Sequence, residues 1–192
     1  MAKILVVEHV SLDVVIQSPA RGDEDRRDGF EYGGWAEKDN DPLLQKVAGE
    51  RMGAAWSLLA GRVTYEHFAR VWPNAPRPNP FTDVLNRVQK FVVSTTLEDP
   101  LSWENSVLLK DGANAVAQLK RIHDKTLVIF SISIRVQSLL RRKLVDEFVL
   151  QIHPVVIGRG RRLFVDVPLT DFKLLDCVTS PSGVIVATYR LT

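Results

Sequence analysis

The sequence LVIFSISIRVQSLL, residues 127–140, predicts a buried β-strand that runs directly into an α-helix. Such a junction is where α/β proteins commonly bind phosphate groups, because the first turn of a helix offers unpaired backbone N–H groups and a partial positive charge. Glycines usually let the ligand approach the backbone. Here the junction reads Ser131-Ile132-Ser133 and contains no glycine. The stretch therefore predicts an α/β fold with an unusual strand–helix turn.

Strands and helices alternate on both sides of this junction. We predict strands at 3–10, 55–60, 90–94, 106–109 and 146–156, and helices at 42–53, 61–72, 81–87 and 112–123. The segments 172–179 and 183–191 flank a Ser-Pro-Ser-Gly turn and predict a C-terminal antiparallel hairpin. This order predicts a three-layer α/β/α sandwich with a mainly parallel twisted sheet. Nothing marks a domain boundary, so we expect residues 1–192 to form a single domain.

Composition narrows the class of protein. The chain has 192 residues, of which 45% are hydrophobic and 25% charged, and its net charge of +2 argues against a nucleic-acid or membrane partner. Cys177 is the single cysteine, so an internal disulfide is impossible and a reducing compartment fits. No apolar run approaches the roughly 20 residues that span a bilayer. We therefore expect a cytoplasmic protein.

Several other segments carry weaker signals. Residues 18–31 form a long charged loop, and loops of this length are typically functional or mobile. The four histidines lack metal-ligand spacing, so we expect no metal, and His153 before Pro154 is interpreted as packed or interfacial. The basic segment GRGRR, residues 158–162, could contact a substrate phosphate or a partner subunit, but a solvated loop is the simpler interpretation.

Several motifs, in this order and spacing, resemble one known family. They are SLD at 11–13, GGWA at 33–36, LLAGRVTYEHFARVWP at 58–73, KFVVSTTL at 90–97, VQSLLRRKLVDEFVLQIHPVVIGRGRRLF at 136–164, and the closing ATYRL. The chain resembles the dihydrofolate reductase-like superfamily. It looks most like the branch that contains the reductase domain of the bifunctional riboflavin-biosynthesis deaminase-reductase and its stand-alone relatives.

This resemblance implies a dihydrofolate reductase-like sheet flanked by helices, NADPH as the hydride donor, a small-molecule substrate and a homodimer. In the riboflavin pathway, the reaction reduces the sugar of 5-amino-6-(5-phosphoribosylamino)uracil to its ribityl form. The resemblance therefore predicts an NADPH-dependent reductase that transfers hydride to a small heterocyclic or sugar-linked substrate.

The segment GRVT, residues 61–64, follows a predicted strand and opens a helix. Gly61 would let a phosphate approach the backbone, while Arg62 and Thr64 would add direct contacts. An ordinary turn with a positive charge at its helix start is the alternative. The resemblance places this segment at the phosphates of the cofactor.

Two hydroxyl residues, Ser94 and Thr95, follow another predicted strand. In the relatives, hydroxyls at this point lie near the adenosine ribose and its 2′-phosphate. Thr95 stands where relatives often have arginine, and a neutral hydroxyl binds a phosphate dianion less strongly than a charged donor does. The alternative is a strand end whose hydroxyls only cap the backbone.

The junction of residues 131–134 is the least family-like segment. Relatives have a Gly-Ser-Gly-like turn where this chain has Ser131, Ile132 and Ser133. A β-branched residue at positive φ costs on the order of 1–3 kcal/mol. Ile132 and Ile134 could also fill space that a phosphate needs, although either serine could still cap the helix.

A carboxylate, Asp13, lies just after the first strand and is the predicted catalytic residue. A carboxylate there can bind a pyrimidine-like ring or relay a proton. Relatives usually carry glycine at the next position, where this chain has Val14. The bulkier residue would hold the backbone away from a nicotinamide ring.

Three aromatic residues are predicted to line the substrate side. Trp35 and Tyr65 can stack on a planar ring, and Phe68 lies one helical turn after Tyr65. Tyr65, Phe68 and Trp72 also have the i, i+3, i+7 spacing of a core stripe, which remains the alternative.

Three functions follow from these residues. The first is the NADPH-dependent reductase described above. The second is a non-catalytic or altered-ligand homologue, whose cofactor groove is impaired by Ser131-Ile132-Ser133. A nucleic-acid-binding module that uses the arginine clusters is the weakest of the three, since the net charge is only +2.

Overall fold

The computed structural model describes residues 1–76, 79–130 and 136–192. In these ranges, eight strands and five α-helices alternate along the chain. The strands are β1 Ile4–Val10, β2 Trp56–Gly61, β3 Lys90–Val93, β4 Ser106–Leu109, β5 Thr126–Phe130, β6 Glu147–Ile152, β7 Phe172–Thr179 and β8 Ile185–Leu191. The helices are α1 Pro42–Met52, α2 Arg62–Val71, α3 Pro80–Arg87, α4 Gly112–Ile122 and α5 Val136–Arg141.

All eight strands belong to one sheet, in the order β4-β3-β2-β5-β1-β6-β8-β7. The first six in this order pair in parallel, and β8 runs antiparallel to both β6 and β7. The predicted mainly parallel sheet with a C-terminal antiparallel hairpin is therefore confirmed. Parallel strands cannot be joined by a tight turn and need longer crossover connections, which are usually helical, and this explains most of the alternation.

The sheet separates two hydrophobic cores. Alternate residues of β1 enter each core: Ile4 and Val6 pack on one side, and Leu5 and Val7 on the other. Buried residues of α4 and α5 cover the first side, while those of α1, α2 and α3 cover the second. Strands buried on both faces are typical of parallel sheets. Among the described residues, no helix has the length and apolarity to cross a membrane.

Local sequence signals set most element ends. Asp41 caps α1 as predicted, because its carboxylate accepts a hydrogen bond from the Leu43 N–H at 2.8 Å. The predicted strand 146–156 was too long: β6 ends at Ile152, just before His153 and a proline that cannot donate a ladder hydrogen bond.

The six parallel strands point the same way, so their carboxyl ends meet along one side of the sheet, which we call the carboxyl edge. The residues that follow β1, β2, β3 and β6 lie there. In open α/β sheets, ligands bind in the crevice outside the carboxyl ends of the strands. A functional site is therefore expected at the carboxyl edge.

Candidate functional site

A cleft at the carboxyl edge lies between the loop of residues 16–36, which follows β1, and the first turns of α2. Two predicted site residues, Thr64 and Phe68, line it on the helix side. The loop side and the rim contribute Ile16, Gln17, Ser18, Glu24, Asp25, Arg27 and Arg161, and α2 adds Val63 and His67. The structure thus brings one predicted cofactor residue and one predicted substrate residue into the same cleft.

The 16–36 loop is fastened to itself by backbone hydrogen bonds. The Gly34 N–H donates to the Ser18 carbonyl at 2.8 Å, and the Ala36 N–H donates to the Pro19 carbonyl at 3.0 Å. These bonds close the long segment into a compact unit, so it lies against the sheet with its own internal order.

The GGW motif completes this closure. A Cβ at Gly33 would lie 2.8 Å from both the Arg21 carbonyl oxygen and the Ser18 Oγ. Only glycine therefore fits at this point, where the end of the loop crosses its beginning. The next aromatic, Trp35, donates its Nε1–H to the Gln17 carbonyl at 2.8 Å. The half-buried indole is thereby held in one orientation at the carboxyl edge.

The carboxylate of Asp13 is occupied by the chain itself. It accepts hydrogen bonds from the Ile157 N–H at 3.0 Å, the Gly158 N–H at 2.9 Å and the Ser11 hydroxyl at 2.7 Å, and it pairs with Arg162 at 3.3 Å. Desolvation opposes ionisation, but these donors outweigh it and hold the pKa of Asp13 below its usual range. Asp13 therefore anchors a loop, and its catalytic role stays a prediction that these contacts do not support.

The basic segment 158–162 is largely exposed, in line with the simpler interpretation, but it also makes contacts within the chain. The Arg161 N–H donates to the Gln17 side-chain oxygen at 3.1 Å, and the Arg161 guanidinium pairs with Asp28 at 2.9 Å. Its arginines therefore dock this segment on the 16–36 loop and are engaged in contacts within the chain.

The position after Asp13 has a backbone conformation that favours glycine. Val14 has a φ of 56°, in the left-handed region that β-branched residues rarely adopt. Its N–H donates to the Ser11 carbonyl at 2.9 Å, and its carbonyl accepts from the Leu163 N–H at 3.0 Å. These two bonds hold the turn in a glycine-like conformation despite the side chain.

The predicted aromatic residues separate into two groups. Tyr65 is buried in the second core, where its hydroxyl accepts the Trp103 N–H at 2.8 Å. Its burial argues against the predicted substrate contact and matches the core-stripe alternative. Phe68 packs edge-on against Trp72 with ring centroids 6.0 Å apart and also lines the cleft, while Trp35 lies at the carboxyl edge.

The predicted phosphate segment begins α2 directly after β2. Gly61 is the N-cap, with φ of −89°, and no side chain caps the helix. Thr64 is buried, whereas Arg62 is exposed and lies 3.5 Å from Glu66. An anion at this segment would therefore depend mainly on backbone N–H groups of the first turn.

The two hydroxyl residues after β3 differ in their surroundings. Ser94 is buried, and its Oγ accepts the Thr96 N–H at 3.1 Å and the Leu97 N–H at 3.0 Å. Thr95 is exposed. Ser94 thus acts as a turn cap, and the exposed hydroxyl residues at this strand end are Thr95 and Thr96, of which Thr96 lies 3.3 Å from the Ser94 Oγ. The predicted cofactor residues Ser131, Ile132, Ser133 and Ile134 lie outside the described residues.

A hydrogen-bonded chain that sequence analysis missed lies beside Trp35. The Asp39 carboxylate is 3.2 Å from His153 Nδ1, and His153 Nε2 is 2.9 Å from His9 Nδ1. Trp35 packs edge-on against His153, with the ring centroids 5.4 Å apart. Burial lowers the pKa of His153, although the hydrogen bond to Asp39 acts in the opposite direction. Burial, together with the neighbouring His153, lowers the pKa of His9 to about 4.

Two buried oxygen atoms near these three residues have no hydrogen-bond partner among the described residues. Gln151 pairs with His9 across β1 and β6, so both lie on the same face, and its Oε1 accepts no hydrogen bond within the described ranges. Glu8 lies on the opposite face, and its Oε2 is similarly unpaired in the described part of the chain. Burial, together with the Glu24 carboxylate, raises the pKa of Glu8 well above its usual range.

Sequence alone held one signal for this cluster. Polar residues within two buried strands, Glu8 and His9 in β1 and Gln151 in β6, are uncommon and mark a place where a strand contacts something polar. No described group of three or more His, Cys, Asp or Glu residues could hold a metal ion.

Comparisons with known proteins agree with this geometry. Residues 2–186 match the family described as the RibD C-terminal domain. The uncharacterised protein YyaP of Bacillus subtilis (strain 168) is 28% identical over 141 residues, which cover 70% of this chain and 73% of that protein.

Two solved structures share the fold. A "Putative riboflavin biosynthesis protein" from Shewanella sp. PV-4 has a TM-score of 0.70 at 21% identity, covering 100% of this chain and 99% of that one. The dihydrofolate reductase from Enterococcus faecalis, complexed with NADP(H) and RAB-propyl, has a TM-score of 0.63 at 14% identity, covering 99% and 96%. The predicted dihydrofolate reductase-like fold is confirmed.

Proposed function

Because this chain belongs to the RibD C-terminal domain family, we propose that it is an NADPH-dependent reductase. Its substrate would be a small heterocyclic or sugar-linked molecule resembling 5-amino-6-(5-phosphoribosylamino)uracil. The observation that carries this proposal is the cleft between the 16–36 loop and α2, which joins predicted cofactor and substrate residues at the carboxyl edge.

The residues of the cofactor half fit a dinucleotide in part. The uncapped start of α2 after Gly61 offers backbone N–H donors to a pyrophosphate, and Thr64 adds a hydroxyl beside them. Thr95 would lie near a ribose phosphate. When bound, NADPH would supply a hydride, while the protein orients the reactants and excludes water.

On the substrate half, Trp35 offers an indole held in one orientation by Gln17. A planar heterocycle could stack on such a ring, and Phe68 would close the cleft from α2. Asp13 would contribute indirectly, since its carboxylate fixes the loop that borders the cleft.

A second candidate is a non-catalytic or altered-ligand homologue. The sequence Ser131-Ile132-Ser133 favours it, because no glycine is present at the strand–helix turn. In addition, Arg62 and Glu66 are within ion-pair distance, so the positive charge of this segment is partly neutralised. A loss of ~2–4 kcal/mol in cofactor binding would raise Kd by roughly 30- to 1000-fold.

A titration with NADPH, followed by cofactor fluorescence and by thermal shift, separates the two candidates. We expect saturable binding, followed by NADPH oxidation with 5-amino-6-(5-phosphoribosylamino)uracil. Absence of any response at millimolar NADPH would contradict the reductase. The triple variant S131G/I132S/S133G then tests the turn: recovered binding would trace the defect to these residues, and continued absence would favour the altered-ligand homologue.

We also propose a homodimer, one domain spanning residues 1–192, and a cytoplasmic location. The resemblance to the family supports the dimer, the single sheet shared by both cores supports one domain, and the single cysteine fits a reducing compartment. Sedimentation equilibrium at two protein concentrations tests the dimer, and a mass of 21.6 kDa at both would exclude it.

A further inference from the structure

We propose that Asp39, His153 and His9 form a proton relay that ends at the carboxyl edge, where His9 Nε2 protonates the heteroatom of the reduced bond. This inference rests on the proposed reductase function. Hydride addition to a C=N or C=O carbon leaves an electron pair on the nitrogen or oxygen, and that atom needs a proton.

The hydrogen bonds fix the direction of the relay. An ionised Asp39 only accepts, so His153 Nδ1 carries a hydrogen and donates to it at 3.2 Å. In neutral His153, the other nitrogen is then an acceptor, and His9 Nδ1–H donates to it at 2.9 Å. His9 Nε2 is left with a free lone pair at the end of the chain.

The two ends of the chain differ in exposure. His153 is fully buried, and Trp35 covers its ring edge-on. His9 is partly exposed, and in the described residues its Nε2 has no hydrogen-bond partner. A proton therefore enters and leaves this chain through His9.

Gln151 is a polar neighbour of this pair. It is buried beside His9 on the same face, and its inaccessible Oε1 accepts no hydrogen bond from any described residue. A buried acceptor without a partner is costly, so this end of the relay is a place where the protein keeps polar groups at the expense of stability.

The proton step balances as follows. A proton from water first binds His9 Nε2, and the Nδ1–H of His9 passes to His153 Nε2, which places an imidazolium against the Asp39 carboxylate. When hydride reaches the substrate carbon, the π electron pair moves to the heteroatom. That atom takes the proton from His9 Nε2, His9 Nδ1 recovers one from His153, and both rings return to neutral.

Charges around the pair set its pH dependence. Burial lowers the pKa of both rings, to about 4 for His9. Asp39 favours the proton on His153, and Lys38 opposes it. The proton-loaded relay is therefore a minor form at neutral pH, and the rate of reduction should rise as the pH falls toward the pKa of the pair.

The first test needs no substrate. With 15N-labelled histidine, the ring nitrogen resonances should show the Nδ1–H tautomer for both His9 and His153 at rest, and the two rings should take up a proton together. Asp39→Asn should change the tautomer of His153 and weaken this coupling, while Asp41→Asn, the same substitution at a neighbouring helix cap, should not. Independent titration of the two rings in the wild-type protein would overturn the relay.

The second test measures turnover of 5-amino-6-(5-phosphoribosylamino)uracil with NADPH. His9→Gln should lower kcat about 100-fold, flatten its pH profile and leave KM within about twofold, whereas Asp41→Asn should match the wild type. A purely structural role for the chain would lower Tm without changing the pH profile, and that result would overturn the relay.

The two tests separate this inference from the proposed function. If wild-type protein binds no NADPH, the reductase proposal fails while the nitrogen spectra still decide whether the chain conducts a proton. If NADPH is turned over and the pH profile of His9→Gln equals that of the wild type, the reductase stands and the relay is wrong.

Discussion

The two halves of the carboxyl edge are built in different ways. Around β1 and β6, carboxylates, histidines and backbone N–H groups bond to one another and fix each loop in place. Around β2 and β3, the predicted site consists of the first turn of α2 and the hydroxyl residues that follow β3. Its one arginine, Arg62, lies within ion-pair distance of Glu66. The proposed substrate half is therefore preorganised by contacts within the chain, whereas the proposed cofactor half has few such contacts and would be ordered mainly by the ligand.

The largest expected effect comes from breaking the preorganised half at Gly33. In Gly33→Val, the new side chain would overlap the Arg21 carbonyl and Ser18 Oγ, so the 16–36 loop must open. We expect a loss of about 2–4 kcal/mol in the free energy of unfolding, measured by urea denaturation. Gly49→Ala in α1, where nothing lies within 4 Å, should instead stabilise by about 0.5–1 kcal/mol. Equal stability of both variants would contradict the close packing of Gly33 against Arg21 and Ser18.

Next in size is Asp13→Asn, which removes a charged acceptor from two N–H groups and a hydroxyl. We expect a loss of about 1–3 kcal/mol at pH 7. The folded pKa lies below the unfolded value, so the stability from this carboxylate is present above the unfolded pKa of about 3.9 and is lost as the pH falls below it. The variant should accordingly lose less stability than the wild type below pH 4, and parallel curves would contradict this anchor.

The cofactor half can be strengthened at Thr95. Thr95→Arg adds a charged donor at the proposed position of the 2′-phosphate, and we expect NADPH affinity to rise about 10-fold, with that for NADH unchanged. Fluorescence titration with both cofactors measures this difference. Thr95→Met is the uncharged control of similar length. A gain for both cofactors alike would contradict a phosphate contact at this position.

A smaller effect is expected at Val14, where the strain of the substrate half is stored. Val14→Gly removes a β-branched side chain from positive φ and should stabilise by about 1 kcal/mol. Val14→Ala keeps a Cβ at the same φ and should gain less. Thermal unfolding of both variants tests the order, and a less stable glycine variant would show that the side chain contributes more by packing.

Of these substitutions, Glu8→Gln is expected to change the free energy of unfolding least when it is measured in acid. Burial raises the folded pKa of Glu8, so its protonated form stabilises the protein below the unfolded pKa, and this contribution is lost as the pH rises through the folded value. The variant should match the wild type near pH 4 and exceed it increasingly at alkaline pH. Glu50→Gln, on the exposed surface of α1, is the control. Parallel stability curves would contradict an uncompensated buried carboxyl.

Much of the fold could be predicted because its signals are local. Apolar runs located the strands, Asp41 and Pro42 marked the start of α1, and the turn at residues 180–183 marked the hairpin. The end of β6 was misplaced because apolar residues continue past His153. Local patterns therefore fixed the order of elements, from which the sheet and its carboxyl edge follow.

The site was harder to predict because its contacts are not local. His9 and His153 are 144 residues apart, and they meet only because β1 pairs with β6 in one particular register. The sequence predicted a catalytic role for Asp13 because its partners could not be recognised. They are the backbone N–H groups of residues 157 and 158, and residue types do not reveal backbone donors. Tyr65 fitted a core stripe and a pocket equally well until the fold separated the two faces of α2.

The closure of the 16–36 loop also bears on how quickly ligands come and go. Its crossing at Gly33 and its bond from Trp35 to Gln17 make the loop one unit, and the contacts of Gln17 and Asp28 with Arg161 hold that unit beside the cleft. A ligand as large as a heterocycle must then wait for the loop to detach before it can enter. In stopped-flow mixing, the observed association rate should level off at high ligand concentration, at the rate at which the loop opens.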